Sequence, residues 1–251
     1  MFRGHIRGGF NHLLNKGRPA SMQYERYAIY WAPAAESGLS ALACSWFGSD
    51  SENGKAILDR DFLGLSPNLA ESAVTSPRRY GLHATMKAPF RLASNSDAAT
   101  LGDSLAEFCA RRRCIRTGPL RLTRFSRFLA LVPQPPRAEL DWLADECTTY
   151  FDRFRTPLSD ADRDRRSGNL TSLEAAQLEQ FGYPYIFSSF MFHITLAGPL
   201  GDADLARVEA ALAPAVAPFT ETDFAVDELC LFGDPGGGGM FRILGRHPLS
   251  R

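Results

Sequence analysis

The 251-residue chain is short of lysine: Lys16, Lys55 and Lys87 are the only three, and arginine supplies the rest of its 28 basic residues. It also lacks an excess of either charge, because 28 acidic residues leave a formal net charge of +0. Proteins that grip nucleic acid through its phosphates carry a clear positive surplus, so an extended duplex or single-strand binder is disfavoured. No run of about 18 apolar residues occurs, which excludes a membrane-spanning helix. Cysteine is sparse: Cys44, Cys109, Cys114, Cys147 and Cys230 form an odd set without a C-x-x-C pair. A chain this long needs no covalent staples, so they read as free thiols of a reducing, cytoplasmic setting. Absent too are G-x-S-x-G, a G-x-G-x-x-G after the first strand, and a glycine loop followed by Gly-Lys-Ser/Thr. Serine-hydrolase, dinucleotide and P-loop chemistries therefore have no signature here. Nor do three or four His, Cys or carboxylate residues cluster at zinc-ligand spacing, so no metal and no cofactor are expected.

What is present suffices for a packed core. Apolar residues make up 45% and charged residues 22%, the balance of a globular domain, and the length suits one domain of two lobes. Residues 1–21 stand apart, with Arg3, Arg7, Lys16 and Arg18 and no acid. They are glycine-rich, weakly periodic, and without the apolar run and cleavage site of a secretory signal. The expectation is a flexible extension over 1–21, a first lobe over 22–135 and a second over 136–251, changing at Pro133–Pro136.

Strand patterning begins at Tyr24–Trp31, where Tyr27, Ile29 and Trp31 share one face and Ala28 and Tyr30 the other. Apolar spacing behind polar caps predicts helices over Ser37–Phe47, Ser66–Val74, Ser96–Arg113, Ala138–Phe154, Leu170–Phe181 and from Asp202 or Asp204 past Leu212. Further strands are expected over Tyr80–Ala88, Leu120–Leu122, Phe128–Val132, Tyr185–Leu196, Phe224–Phe232 and Met240–Leu244. Asp234–Gly239 reads as a hairpin loop. The run Asp160–Arg166, in which only Ala161 is uncharged, reads as a solvated face or loop.

An internal repeat carries the functional reading. His83-Ala-Thr-Met-Lys-Ala-Pro89 matches His193-Ile-Thr-Leu-Ala-Gly-Pro199: each has a histidine, a threonine two residues on and a proline six residues on. With five histidines and twelve threonines in the chain, chance supplies only about a quarter of one His-x-Thr triplet, and the shared proline makes the pairing rarer still. Alternation along a strand puts His83, Thr85 and Lys87 on one face and His193 and Thr195 on one face. If the two strands face one groove, two imidazoles and two hydroxyls converge. Such a set suits attack at phosphorus: one neutral histidine takes a proton from water and one protonated histidine gives a proton to the leaving oxygen. The threonines donate to non-bridging oxygens, and Lys87 offsets developing negative charge. Arg79 and Tyr30 are further candidates for substrate binding. Each of these residues also has a plain structural reading, as a surface charge or a packed ring.

At these residues the chain resembles the 2H phosphoesterase superfamily, defined by two His-x-Thr/Ser motifs, one in each lobe. It is similar in particular to a bacterial family that accompanies phosphonate-utilisation genes. The supporting stretches are Arg26–Pro33, Arg79–Phe90, Phe128–Pro133, Gly182–Tyr185 and Phe192–Leu196, and the likeness spans about Tyr24–Leu249. The resemblance implies a duplicated α+β fold, with mainly antiparallel sheets around a central cleft and helices outside. It also implies metal-independent hydrolysis of a cyclic phosphodiester, with His83, Thr85, His193 and Thr195 as catalytic residues. A small phosphoester such as a ribosyl cyclic phosphate is the expected substrate. RNA 2′,3′-cyclic phosphate ends are the alternative, weakened by the balanced charge. A non-catalytic module that binds a phosphorylated ligand in the same cleft is the rival from another class. No membrane and no specific protein partner are expected.

Overall fold

A computed structural model describes residues 24–250; the expected extension over 1–21 lies outside the described residues. Among the described residues ten strands run in chain order: β1 (Arg26–Trp31), β2 (Ser49–Asp50), β3 (Lys55–Ala56), β4 (Ala84–Phe90), β5 (Ile115–Phe125), β6 (Phe128–Pro133), β7 (Ile194–Ala197), β8 (Asp223–Val226), β9 (Glu228–Asp234) and β10 (Arg242–Pro248). The α-helices are α1 (Gly38–Phe47), α2 (Pro67–Val74), α3 (Ala98–Ala110), α4 (Ala138–Tyr150), α5 (Asp160–Arg166), α6 (Ser172–Phe181) and α7 (Asp202–Val216). Local chemistry explains the helix starts. The side chains of Ser37, Ser66 and Asp97 each accept a hydrogen bond from a first-turn backbone N–H of α1, α2 and α3. Thr171 and Glu174 close a capping box at α6.

The strands build two four-stranded antiparallel sheets, in the orders β10-β9-β1-β4 and β7-β6-β5-β8, with β2–β3 as a separate short hairpin. Helix α3 packs on β9 and β10, α4 on β4 and β5, and α7 on β6. This is an α+β fold of mainly antiparallel sheets. The alternation expected along the first strand is seen: Tyr27, Ile29 and Trp31 join the large core, while Ala28 and Tyr30 join a smaller cluster with Phe232 and Phe241.

The lobes do not divide at residue 135. The first sheet takes its strands from both ends of the chain, and the second takes β5 and β6 from before Pro135 and β7 and β8 from after it. Pro133 ends β6, and Pro135 and Pro136 merely follow the β5–β6 hairpin. A hydrophobic run reveals a strand but not its partner, so the interleaving was invisible. Phe224–Phe232 is likewise two strands of different sheets, parted at Asp227. Of Tyr185–Leu196 only Ile194–Ala197 is strand, after a 3₁₀ turn at Phe187–Ser189. The charged run Asp160–Arg166 is a helix, capped by Ser159 and laced by Arg163–Asp160 and Arg165–Asp162 ion pairs.

Candidate active site

His83 and His193 each stand immediately before a motif strand, β4 and β7, rather than within it. The two are held alike. Nδ1 of His83 lies 2.9 Å from the Gly81 carbonyl, and Nδ1 of His193 lies 2.8 Å from the Met191 carbonyl. A carbonyl can only accept, so each Nδ1 carries the proton and each Nε2 is the basic nitrogen of the neutral ring. Gly81 presents its carbonyl from the left-handed region, φ 70°, and a Cβ there would fall 1.9 Å from Ser51 Oγ. The positive φ is what favours glycine here, since the Ser51 hydroxyl can turn aside.

The surroundings of the two rings differ. His83 is partly buried against Tyr30, with ring centroids 4.1 Å apart, and Tyr80 lies at 5.7 Å. Burial drives its pKa down to about 4, the Gly81 carbonyl opposes the fall, and the charge of His193 adds to it. His193 is exposed, with Phe125 edge-on at 6.2 Å. The rings line two adjoining chambers. One of about 300 Å³ holds His83, Tyr30, Tyr80, Arg26, Arg165 and Arg166. The other, of about 350 Å³, holds His193 with Phe125, Tyr185, Phe190 and Met191. Thr85, Phe128, Tyr183 and Thr195 line both. The pair of threonines thus marks the junction, with one histidine on either side.

Tyr30 stands at the cleft, fully buried beneath His83, and burial holds its hydroxyl well above the usual tyrosine range. Arg79 does not line either chamber. Its guanidinium reaches Asp234 at 3.2 Å and the Gly239 carbonyl at 3.3 Å, so it ties the 3₁₀ turn Pro77–Tyr80 to the β9–β10 hairpin. Lys87, expected beside His83, lines neither chamber. Opposite β1, Ile29 pairs with Lys87 but Tyr30 pairs with Thr85, which leaves Met86 as an extra residue. Directly paired residues share a face, so this bulge turns Lys87 to the Ile29 face and away from Thr85. Its ammonium is buried, 3.0 Å from the Thr148 carbonyl and 3.3 Å from Asp152. Strict alternation, which put Lys87 beside His83, fails at a bulge that the sequence does not mark.

Arg26, Arg165 and Arg166 were missed by sequence reasoning. A signal existed in the charged run: pairing at i, i+3 satisfies Arg163 and Arg165 and leaves Arg166 over. Among the described residues no group of three His, Cys, Asp or Glu side chains gathers as metal ligands would, and no helix is long and apolar enough to cross a membrane.

A family model described as "Protein of unknown function (DUF1045)" matches residues 85–242, more than half of the chain. The chain is 32% identical over 238 residues to a ribose 1,5-bisphosphate phosphokinase PhnN of Janthinobacterium sp. (strain Marseille), covering 93% of this chain and 52% of that protein. It is also 32% identical over 221 residues to a protein of the same name from Laribacter hongkongensis (strain HLHK9), covering 87% and 50%. It therefore spans about half the length of the curated relatives it matches. Among solved structures, one described as a phosphoesterase shares 16% identity at a TM-score of 0.44, covering 90% of this chain and 99% of the other. E. coli LigT complexed with 3′-AMP shares 16% at 0.41, covering 91% and 100%.

Proposed function

The chain belongs to the family described as protein of unknown function DUF1045, and on that premise we propose that it is a phosphoesterase that opens a small cyclic phosphodiester by general acid–base catalysis between His83 and His193. The observation that carries the reading is the pair of Nδ1-anchored histidines on either side of two threonines at the junction of one cleft. The difference in burial supports a division of roles. His83, with its pKa down at about 4, is neutral near pH 7 and acts as the base. Its Nε2 takes a proton from water, the water oxygen bonds to phosphorus, and the P–O bond to the leaving ester oxygen breaks. His193 in its protonated form gives that oxygen a proton. Thr85 and Thr195 donate to the non-bridging oxygens. Tyr30 braces the His83 ring. No metal or cofactor takes part in this scheme.

A small phosphorylated sugar is the favoured substrate, with a place in phosphonate metabolism. Chambers of about 300 and 350 Å³ suit a pentose phosphate, and the relatives named above carry the name of a ribose bisphosphate kinase. The test is turnover of a panel of cyclic phosphodiesters, including ribosyl and nucleoside cyclic phosphates, with and without EDTA. Turnover that survives chelation and falls on the order of 10²–10⁴-fold in folded His83→Ala and His193→Ala variants is expected. Tight binding without turnover by the wild type would favour the non-catalytic module. Near-normal rates in both variants would refute the pair.

A further inference from the structure

The chamber beside His83 is charged beyond the needs of a single diester. Arg26, Arg165 and Arg166 line it, and no carboxylate among the described residues does. Two of the three are answered from behind. Arg26 Nε lies 2.9 Å from Asp234, which it shares with Arg79, and Arg165 lies 2.6 Å from Asp162. Arg166 has no ion pair among the described residues. It donates to two backbone carbonyls, those of Gly182 and of Pro89 at 3.0 Å, and so keeps three of its five N–H donors. Its guanidinium sits 5.8 Å from the centre of the Tyr183 ring. That phenol supplies no counter-charge, since burial pushes its pKa up to about 12. Burial pulls the Arg166 pKa down, and the charges of Arg165 and Arg26 add to the fall against an opposing pull from Tyr183 and Asp162.

Two positive charges are therefore left over, one on Arg166 and one on the Arg26–Arg79–Asp234 cluster. A cyclic diester brings one negative charge, whereas a phosphomonoester brings about 1.5 to 2. Partly buried cations crowded together are unfavourable without an anion, and a guanidinium fork matches phosphate oxygens. Arg166 lines the His83 chamber and lies beside Tyr183, which lines both chambers.

Resting on the phosphoesterase reading, we infer that Arg166, supported by Arg26 and Arg165, is a specificity-determining residue that binds a second phosphate, and that the substrate class is a small cyclic phosphodiester carrying a separate phosphomonoester.

Calorimetric titration with ribose 1,5-bisphosphate and with ribose 1-phosphate tests this without requiring turnover. The wild type should bind the bisphosphate at least about tenfold more tightly, a modest return for one charge-assisted phosphate contact. Arg166→Gln should cut that advantage to threefold or less, and Arg166→Lys, which keeps the charge but not the fork, should fall between. Equal binding of both probes by the wild type, no binding of either, or an advantage unchanged in Arg166→Gln would overturn the inference. An advantage that persists in a protein with no turnover of any cyclic diester would sink the catalytic reading and leave the subsite standing.

Discussion

Acidification should expose the buried state of His83 in a thermal melt. Its folded pKa is about 4 against an ordinary 6.5. Between those values the unfolded chain holds a proton on this ring that the folded protein does not. Stability therefore rises with pH across this window, is fully present above about 6.5, and is lost as pH falls toward 4. At about 1.4 kcal/mol per pKa unit, the whole window is worth at most about 3.5 kcal/mol. One edge of the ring meets the cleft, so about 2 kcal/mol is the more realistic loss between pH 7 and 4.5. For a domain of this size that is a fall of roughly 4–8 °C in melting temperature. His83→Gln removes the titrating group while retaining a polar side chain. Its melting temperature should drop less over the same pH interval, by about that difference, whatever its stability at pH 7. The kinetic counterpart is that kcat/KM of the wild type should hold its base-side requirement down to about pH 4. Identical acid sensitivities in wild type and variant would show that His83 is not held neutral by burial, and the assignment of base and acid would fail with it.

Two further outcomes follow from the packing. Lys87→Met should melt within a few degrees of wild type and turn over substrate at the wild-type rate. Burial lowers the Lys87 pKa to about 8, a penalty that removal of the charge relieves, and this offsets the roughly 1–3 kcal/mol for stranding the Thr148 carbonyl; Asp152 keeps Arg155 at 2.9 Å. A hundredfold loss of kcat/KM in a stable Lys87→Met protein would mean that the lysine reaches substrate after all. Asp234 is fully buried between Arg26 and Arg79, so Asp234→Asn should cost about 3–5 kcal/mol by denaturant unfolding. A loss below about 1 kcal/mol would show that the two guanidiniums find solvent or another partner.

The sequence by itself determined the parts governed by near neighbours. Ser37 and Ser66 could be read as helix starts, and the start of α3 to within a residue, because a cap answers backbone groups within its own first turn. The two His-x-Thr motifs were legible as a repeat, and so was the alternation of Tyr27, Ile29 and Trp31 against Ala28 and Tyr30. Tertiary structure decided whatever depends on register and remote partners. The extra Met86 opposite β1 turned Lys87 from Thr85 toward α4, a choice that no property of residues 83–89 announces. Arg79 was drawn from the cleft by Asp234, 155 residues away. Arg166, one charge in a run that resembles a solvated face, was carried into the cleft by the placement of α5 beside Pro89 and Gly182. Local hydrogen bonding and periodicity are written within a few residues, whereas the sharing of a buried carboxylate or the phase of a strand past a bulge exists only once distant segments pair.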